Sequence, residues 1–399
     1  MKTLIQRVRA SGVWKPSSAA RLVQARWPSS VEALPSDNVA LRGAVEWLSR
    51  AQDATGDGGI AGRYRLSSGW SSSYPETTGY TIPTLLELAD VLDDPRYVER
   101  ASRCVEFLLA VQLPDGAFPA LEIAENRVAP SPFNSAQIVH GLQHWHRRTG
   151  DARALDAMVR ASRWICGVQD RDGAWRQSFY RALACTYSAH AACWLADAGA
   201  YTGEAGFTES ASRNLHWVLS RRDPATGWFD ACGFTEADHA ARRAFTHTIA
   251  YTLCGVLRMS ARLAVAEGVD AVHAAADAIV HRLERSKTLA AVLNHQWRPC
   301  AQYVCLTGNA QMAVLWLQVA DITGDLRFVN AAFKAIDEVK RAQSLTSSDG
   351  GIRGGVPGSW PLDGDYISFA FPNWAAKYFV DALLAKRAWL AQAGRVAEA

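Results

Sequence analysis

A phrase built on Gln, Asp and Gly returns along the chain and constrains its fold more than any other feature. Ala51-Gln52-Asp53 leads to Asp57-Gly58-Gly59-Ile60, and closer copies follow in Val111-Gln112-Leu113-Pro114-Asp115-Gly116-Ala117-Phe118 and Val168-Gln169-Asp170-Arg171-Asp172-Gly173-Ala174-Trp175. Weaker copies are Arg222-Asp223-Pro224-Ala225-Thr226-Gly227-Trp228-Phe229 and Ala342-Gln343, which leads to Asp349-Gly350-Gly351-Ile352. The spacing is about 55–60 residues, longer than the familiar two-helix solenoid units. Each phrase ends an amphipathic stretch and is followed by a polar loop and a second, more apolar stretch.

Leu155, Met158, Val159, Ile165 and Val168 lie on one side of one such first stretch, and Val329, Ala332, Ile336 and Val339 on another, so these helices bury one face. The second helices, from about Glu76, Asn134, Tyr187, His247, Gly308 and Asn373, are rich in Ala, Leu, Trp and Tyr around most of their circumference. Such helices must be surrounded by protein. With first helices starting near Asn38, Pro95, Asp151, Phe207, Val269 and Arg327, the chain holds six pairs. Six pairs wound in sequence supply an outer layer for the buried helices by closing into a ring, whereas an open solenoid needs polar caps that this sequence does not show. The expected fold is all-α, two concentric barrels over residues 38–388, with a basic extension at 1–37, a tail at 389–399, and at most short strands in the loops.

Composition narrows the classes. Hydrophobic residues at 49% and charged ones at 20% support a large core, which excludes general disorder. No apolar run approaches the ~20 residues of a membrane-spanning helix. The extension carries Lys2, Arg7, Arg9, Lys15, Arg21 and Arg26 without the apolar centre of a secretory signal. Eight cysteines lack CxxC or zinc-type spacing, so they read as small buried hydrophobes of a reducing, cytoplasmic protein, with no metal and no cofactor. A net charge of +3 does not suggest nucleic acid.

These repeats and paired helices resemble the (α/α)6 toroid shared by six-hairpin glycosidases, several polysaccharide lyases and sugar epimerases, over roughly Asn38 to Leu384. The Gln-x-x-Asp-Gly-aromatic phrases also resemble the QW-type repeats of terpenoid cyclases and prenyltransferase β subunits. The Asp-x-Asp-Asp proton donor of such cyclases is missing, since Asp90 to Asp94 reads Asp-Val-Leu-Asp-Asp at a helix end. Neither the Asp, Cys and His zinc set of the prenyltransferases nor the Cys and Cys-His set of lanthionine cyclases can be assigned. The resemblance therefore implies sugar chemistry on an oligo- or polysaccharide, with glycosidic-bond hydrolysis as the commonest activity of the fold.

Because direction alternates, all second helices begin at one end of the barrel, where loops gather and helix dipoles favour an anionic group such as a uronate. Glu76 reads either as a general acid or base or as a complement to its helix dipole, with Tyr74, Tyr80 and Trp70 nearby in sequence for stacking on a sugar. His247 and Tyr251, four apart, share a helix face. Arg181 is a candidate for a uronate carboxylate, with Asn134 and Asn309 as further hydrogen-bonding groups. The Gly-rich segment Gly350 to Pro361 leads through Trp360, Asp363, Asp365 and Tyr366 to Asn373, and reads as a lid.

Two reactions stay open. Hydrolysis needs two carboxyls, Glu76 with Asp172, Asp230, Asp363 or Asp365. A uronate lyase or epimerase needs a neutralised carboxylate, by Arg181, Asn134 or Asn309, and a proton carrier, by His247, Tyr187, Tyr251 or Tyr366. A non-catalytic glycan-binding module with the same aromatic mouth is the non-enzymatic alternative.

Overall fold

The computed structural model describes residues 4–26, 34–123, 130–392 and 394. Lys2, most of the tail from 393 onward and the end of the basic extension fall outside them. Two short helices come first, α1 (Leu4–Ser11) and α2 (Pro16–Arg26). Then come six pairs: α3 (Asp37–Asp53) with α4 (Pro75–Val91), α5 (Arg96–Val111) with α6 (Pro132–Thr149), and α7 (Ala152–Gly167) with α8 (Ala189–Thr202). The series continues with α9 (Ala205–Leu219), a short α10 (Glu236–Ala240) and α11 (Thr246–Leu263), followed by α12 (Ala266–Ser286) with α13 (Leu306–Thr323) and α14 (Leu326–Ala342) with α15 (Asn373–Gln392).

The outer members are amphipathic, as α14 shows by burying Phe328, Val329, Ala332, Ile336 and Val339 along one side. Inner members are buried almost all round: in α13 every residue from Leu306 to Ala313 is buried. Asp151 and Asp325 cap α7 and α14 by accepting from backbone N–H groups that would otherwise be orphaned. Left-handed glycines at 150, 203 and 324 stop three inner helices.

Inner helices pack in the ring order α4, α6, α8, α11, α13, α15, and α15 returns to α4, so the barrel closes. The repeated phrase does the fastening. Gln52 Nε2 donates to the carbonyls of Gly58 in its own turn (2.9 Å) and Arg100 in the next outer helix (3.0 Å). Gln112 does the same with Gly116 and Ala157, and Gln169 with Gly173 and Ser210. The last copy closes the circle, because Gln343 donates to Gly354 (2.9 Å) and to Ala40 of α3 (3.1 Å). Gly116 and Gly173 have φ near +90°, and a Cβ there would lie 2.8 and 2.4 Å from the Arg160 and Arg213 carbonyls of the neighbouring outer helix. Only glycine satisfies both the turn and the approach.

Among the described residues, seven strands of two or three residues lie in the loops: β1 (Arg63–Arg65), β2 (Gly69–Trp70), β3 (Arg243–Phe245), β4 (Val292–Asn294), β5 (Val304–Cys305), β6 (Ser359–Trp360) and β7 (Ala370–Pro372). They form a β2-β1-β7 sheet and the pairs β3-β4 and β5-β6, all antiparallel. All of them join an outer helix to the start of an inner one, so they cover the leading end of the barrel.

Candidate active site

On α4, α6, α11, α13 and α15 the second, sixth, ninth and thirteenth residues point along one stripe toward the barrel axis, as a 3.6-residue repeat requires. The second residues are Glu76, Phe133, His247, Thr307 and Trp374, and all are buried. The sixth are Tyr80, Gln137, Tyr251, Gln311 and Tyr378, also buried. Exposure then rises: Pro83, His140, Cys254, Val314 and Asp381 are half-buried, and Glu87, Arg258 and Gln318 are exposed. The axis is thus sealed at the leading ends and opens into a funnel at the trailing ends. A cavity of about 150 Å³ occupies that funnel, lined by Tyr80, Tyr251 and Tyr378 at its floor and by Trp194, Arg258 and Gln318 further out.

Among the described residues the leading ends are therefore buried, where an open mouth was expected. Tyr366 closes it: its hydroxyl accepts from the Trp374 indole N–H (2.9 Å), and its ring lies 5.4 Å from that of His247. The glycine-rich part of the expected lid is packed down on α3, where Trp47 Nε1 donates to the Gly351 carbonyl (2.7 Å) and Arg50 Nε to that of Gly350 (2.9 Å).

Behind this plug, Glu76 is buried, with 7% of its surface still exposed. Tyr74 donates its hydroxyl to Oε2 of Glu76 (2.7 Å), and Asn134 Nδ2 donates both to the same oxygen and to the Tyr74 hydroxyl (3.2 Å). Burial pushes the Glu76 carboxyl up to about 7, against the two hydrogen bonds that favour the carboxylate. Burial and the neighbouring Glu76 raise the Tyr74 phenol well above its ordinary range, so it remains a donor.

On the facing side, His247 Nδ1 stands 2.8 Å from Oε1 of Gln311. A carbonyl oxygen only accepts, so the proton sits on Nδ1 and Nε2 is bare. Burial lowers the His247 imidazole to about 4, with the Gln311 bond opposing. His190 has the opposite tautomer. The Trp194 indole, a donor only, gives its proton to Gln137 Oε1 (3.0 Å), which leaves Gln137 Nε2 to donate to His190 Nδ1 (3.1 Å) and puts the His190 proton on Nε2. Burial, then the Lys377 and Arg258 charges, keep His190 neutral. Tyr251 lies between the two imidazoles, its ring 4.5 Å from His190 and 4.4 Å from His247.

Of the residues singled out in the sequence, Glu76, Tyr74, Asn134, Tyr80, His247, Tyr251 and Tyr366 gather around this enclosed layer. The others do not. Trp70 packs on Trp47 and Tyr64 because β2 pairs with β1 on the outer side. Arg181 is exposed in a loop with φ +60° and lies over Tyr180. Asp365 faces Tyr303, Asp363 pairs with Arg7 (3.7 Å), and Asp172 and Asp230 pair with Arg176 and Arg242. Trp360 sits in β6 opposite Val304. Asn373 binds the Ala61 carbonyl and the Thr77 hydroxyl, bracing the first turn of α4. Tyr187 packs among Phe133, Phe179 and Phe234, and Asn309 is buried with neither side-chain atom hydrogen-bonded.

Sequence reading passed over Gln311, His190, Gln137, Trp374 and Arg63. Gln137 lies three residues after Asn134 and His190 three after Tyr187, so helical counting from residues that were singled out reaches both, whereas Gln311 and Trp374, two and one residues from Asn309 and Asn373, do not follow from it. Arg63 had no such signal: its guanidinium stacks over Trp374 (5.3 Å) and binds Glu122 (2.7 Å) only because β1 pairs with β7. Among the described residues no group of three or more His, Cys, Asp or Glu side chains could hold a metal ion. No helix among them is long and apolar enough to cross a membrane.

The family model for the β-L-arabinofuranosidase GH127 catalytic domain matches residues 45–291. Among curated proteins none matches the sequence. Solved structures share the fold: a sugar epimerase from a ruminal bacterium at TM-score 0.70 and 11% identity, over 92% of this chain and 99% of that one. An unsaturated glucuronyl hydrolase specific for heparin matches at TM-score 0.68 and 13% identity, over 88% and 96%. Cellobiose 2-epimerase from Bacillus thermoamylovorans matches at 0.69 and 12%, over 87% and 97%.

Proposed function

The chain belongs to the GH127 β-L-arabinofuranosidase catalytic-domain family, a carbohydrate-active class, and from that premise we propose that it hydrolyses a glycosidic bond in an anionic, uronate-containing oligosaccharide at the enclosed layer of Glu76 and His247. The observation that carries this reading is the Glu76 carboxyl, buried at the head of an inner helix in contact with Tyr74 and Asn134 and pushed up to about 7, so that a large fraction is protonated at neutral pH. Protonated Glu76 gives its proton to the glycosidic oxygen as the C1–O bond breaks and its electron pair passes to that oxygen. Water adds at C1 and gives up a proton to the bare Nε2 of His247. Solvent exchange then returns Glu76 to its acid form.

This reading replaces the second carboxylate with an imidazole, because Asp172, Asp230, Asp363 and Asp365 are all engaged elsewhere. Arg63 takes the part first given to Arg181 as the cation for a uronate carboxylate: it stands over Trp374 at the leading end and would exchange its bond to Glu122, which Arg65 also binds, for the substrate's carboxylate. Substrate reaches Glu76 when the segment carrying Tyr366 lifts from Trp374 and His247.

A second reading is favoured by one observation: His190 with its proton on Nε2 and His247 with a bare Nε2 flank Tyr251 as a matched acid and base. That pair suits removal and return of a proton on a sugar carbon, as in epimerisation. The experiment that tests both is incubation with uronate-containing oligosaccharides and with unsubstituted disaccharides in deuterated water. New reducing ends support hydrolysis. Carbon-bound deuterium in an uncleaved sugar supports the second reading and removes the first, and no change with any saccharide removes both.

A further inference from the structure

The two N-terminal helices have two different faces. Inward, Val13 and Ala25 are buried, Gln24 Oε1 accepts from the Ser347 hydroxyl (2.7 Å), Arg21 pairs with Asp349 (3.3 Å), and Arg7 pairs with Asp363 (3.7 Å). These contacts fasten the helices over the loops at the leading end of the barrel. Outward, Ile5, Trp14 and Val23 are 66%, 64% and 60% exposed, higher than any other large hydrophobic among the described residues. Arg9 and Lys15 are exposed beside them, with Ala19 and Ala20 on the same outer side. No Asp or Glu occurs in the chain before Glu32.

Exposed Trp, Ile and Val set among Arg and Lys on two helices that carry no acid of their own match what lies in the headgroup region of an anionic bilayer. Trp sits at that depth because its ring is apolar and its N–H finds water or a headgroup. An acidic protein surface would satisfy Arg9 and Lys15 but gives no reason for three large apolar side chains to be held in water. We infer that α1 and α2 dock this protein on the surface of a membrane rich in anionic lipid, which turns the leading end, with Glu76 behind it, toward the bilayer. The inference stands on the N-terminal helices alone and does not depend on the reaction performed.

The test is co-sedimentation of the full chain with vesicles of phosphatidylcholine alone and of equal parts phosphatidylcholine and phosphatidylglycerol. Binding is expected to the anionic vesicles only, and to fall when salt shortens the Debye length to a few ångströms. Changing Arg9→Gln and Lys15→Gln together weakens it about thirtyfold, and Trp14→Ser also releases protein from the pellet. Both variants alter exposed side chains, and an unchanged circular dichroism spectrum checks that they fold. The inference is overturned if the wild-type chain stays in the supernatant with anionic vesicles at low salt, or if both variants bind as it does. Equally tight, Trp14-independent retention on a polyglutamate resin would overturn it in favour of an acidic protein partner.

Discussion

Glu76 and His247 face each other across the barrel axis, each the second residue of its inner helix, with α4 and α11 three places apart in the ring of six. Tyr74, Trp374 and Tyr366 connect them: Tyr74 binds Glu76, its ring meets Trp374 at 6.0 Å, Trp374 binds Tyr366, and Tyr366 stacks near His247. An acid and a base on opposite sides of one axial position are what cleavage of a bond held there requires.

Glu76→Gln keeps the shape of the side chain and removes its proton. Turnover is expected to fall by about a hundredfold to ten-thousandfold, the usual contribution of a general acid, with saccharide binding retained. His247→Ala lowers hydrolysis similarly, whereas His190→Ala leaves it within about tenfold because His190 lies one layer below. Reducing-sugar assays beside calorimetric binding separate these outcomes, and full turnover by Glu76→Gln removes the proposed reaction.

The proposed hydrolysis is expected to show a bell-shaped pH dependence. It requires neutral His247, whose imidazole is held down to about 4, and protonated Glu76, whose carboxyl is pushed up to about 7. Asn134 donates to Glu76 and so favours the carboxylate. Asn134→Ala therefore moves the alkaline limb to higher pH, by roughly one unit. A limb that stays or moves down shows that another group sets it.

Stability changes with pH through the same residues. Glu76 is raised in the fold, so the unfolded chain releases its proton first. Stability is lost as pH rises from about 4.5 to about 7, on the order of 3 kcal/mol for this one enclosed group. His247 is lowered, so the unfolded chain takes up a proton first and stability is lost as pH falls from 6.5 to about 4. The two windows overlap and their slopes oppose, so these groups nearly cancel in wild type between about pH 4.5 and 6.5. Urea titrations check the sign, because Glu76→Gln leaves the His247 contribution alone and the variant gains stability as pH rises through this range.

Arg63→Gln removes the cation over Trp374 and frees Glu122 to face Arg65 alone. The expected effect is a KM for uronate-bearing substrate raised about tenfold at nearly constant kcat, with neutral substrates little affected. An equal loss on both kinds of substrate makes Arg63 a structural residue of β1.

Gln343→Ala deletes the fastening between the last and first outer helices: the buried Gly354 carbonyl loses its side-chain donor, and the Ala40 carbonyl keeps only its bond within α3. The cost is about 2–4 kcal/mol in denaturant unfolding. An Arg222→Ala change at the weaker copy, where no such glutamine exists, is expected to cost less than about 1 kcal/mol.

The helical pairs and their closure into a ring are legible in the residue pattern alone. Helix starts read near Asn38, Pro95, Asp151 and Arg327 meet α3, α5, α7 and α14 within a residue or so, because a one-sided or all-round apolar pattern is a local property of the chain. The recurring glutamines were visible too, though not that each binds the next outer helix. Glu76, Asn134, His247 and Tyr251 were legible because leading-end residues of inner helices must share one space once the ring is granted.

Only the tertiary structure decided which end of that space is open, which carboxylates are free, and which tautomer each histidine holds. Tyr366 reaches His247 through a loop more than a hundred residues away in the chain, and Arg63 reaches Trp374 through the β1–β7 pairing. Trp70 points away because the pairing of β2 with β1 orients it, and Arg181 because it sits in a left-handed loop turn; helix periodicity decides neither. Periodicity fixes a face of a helix. The filling of the axis depends on how far side chains from five other helices and their loops extend into it, which no local pattern encodes.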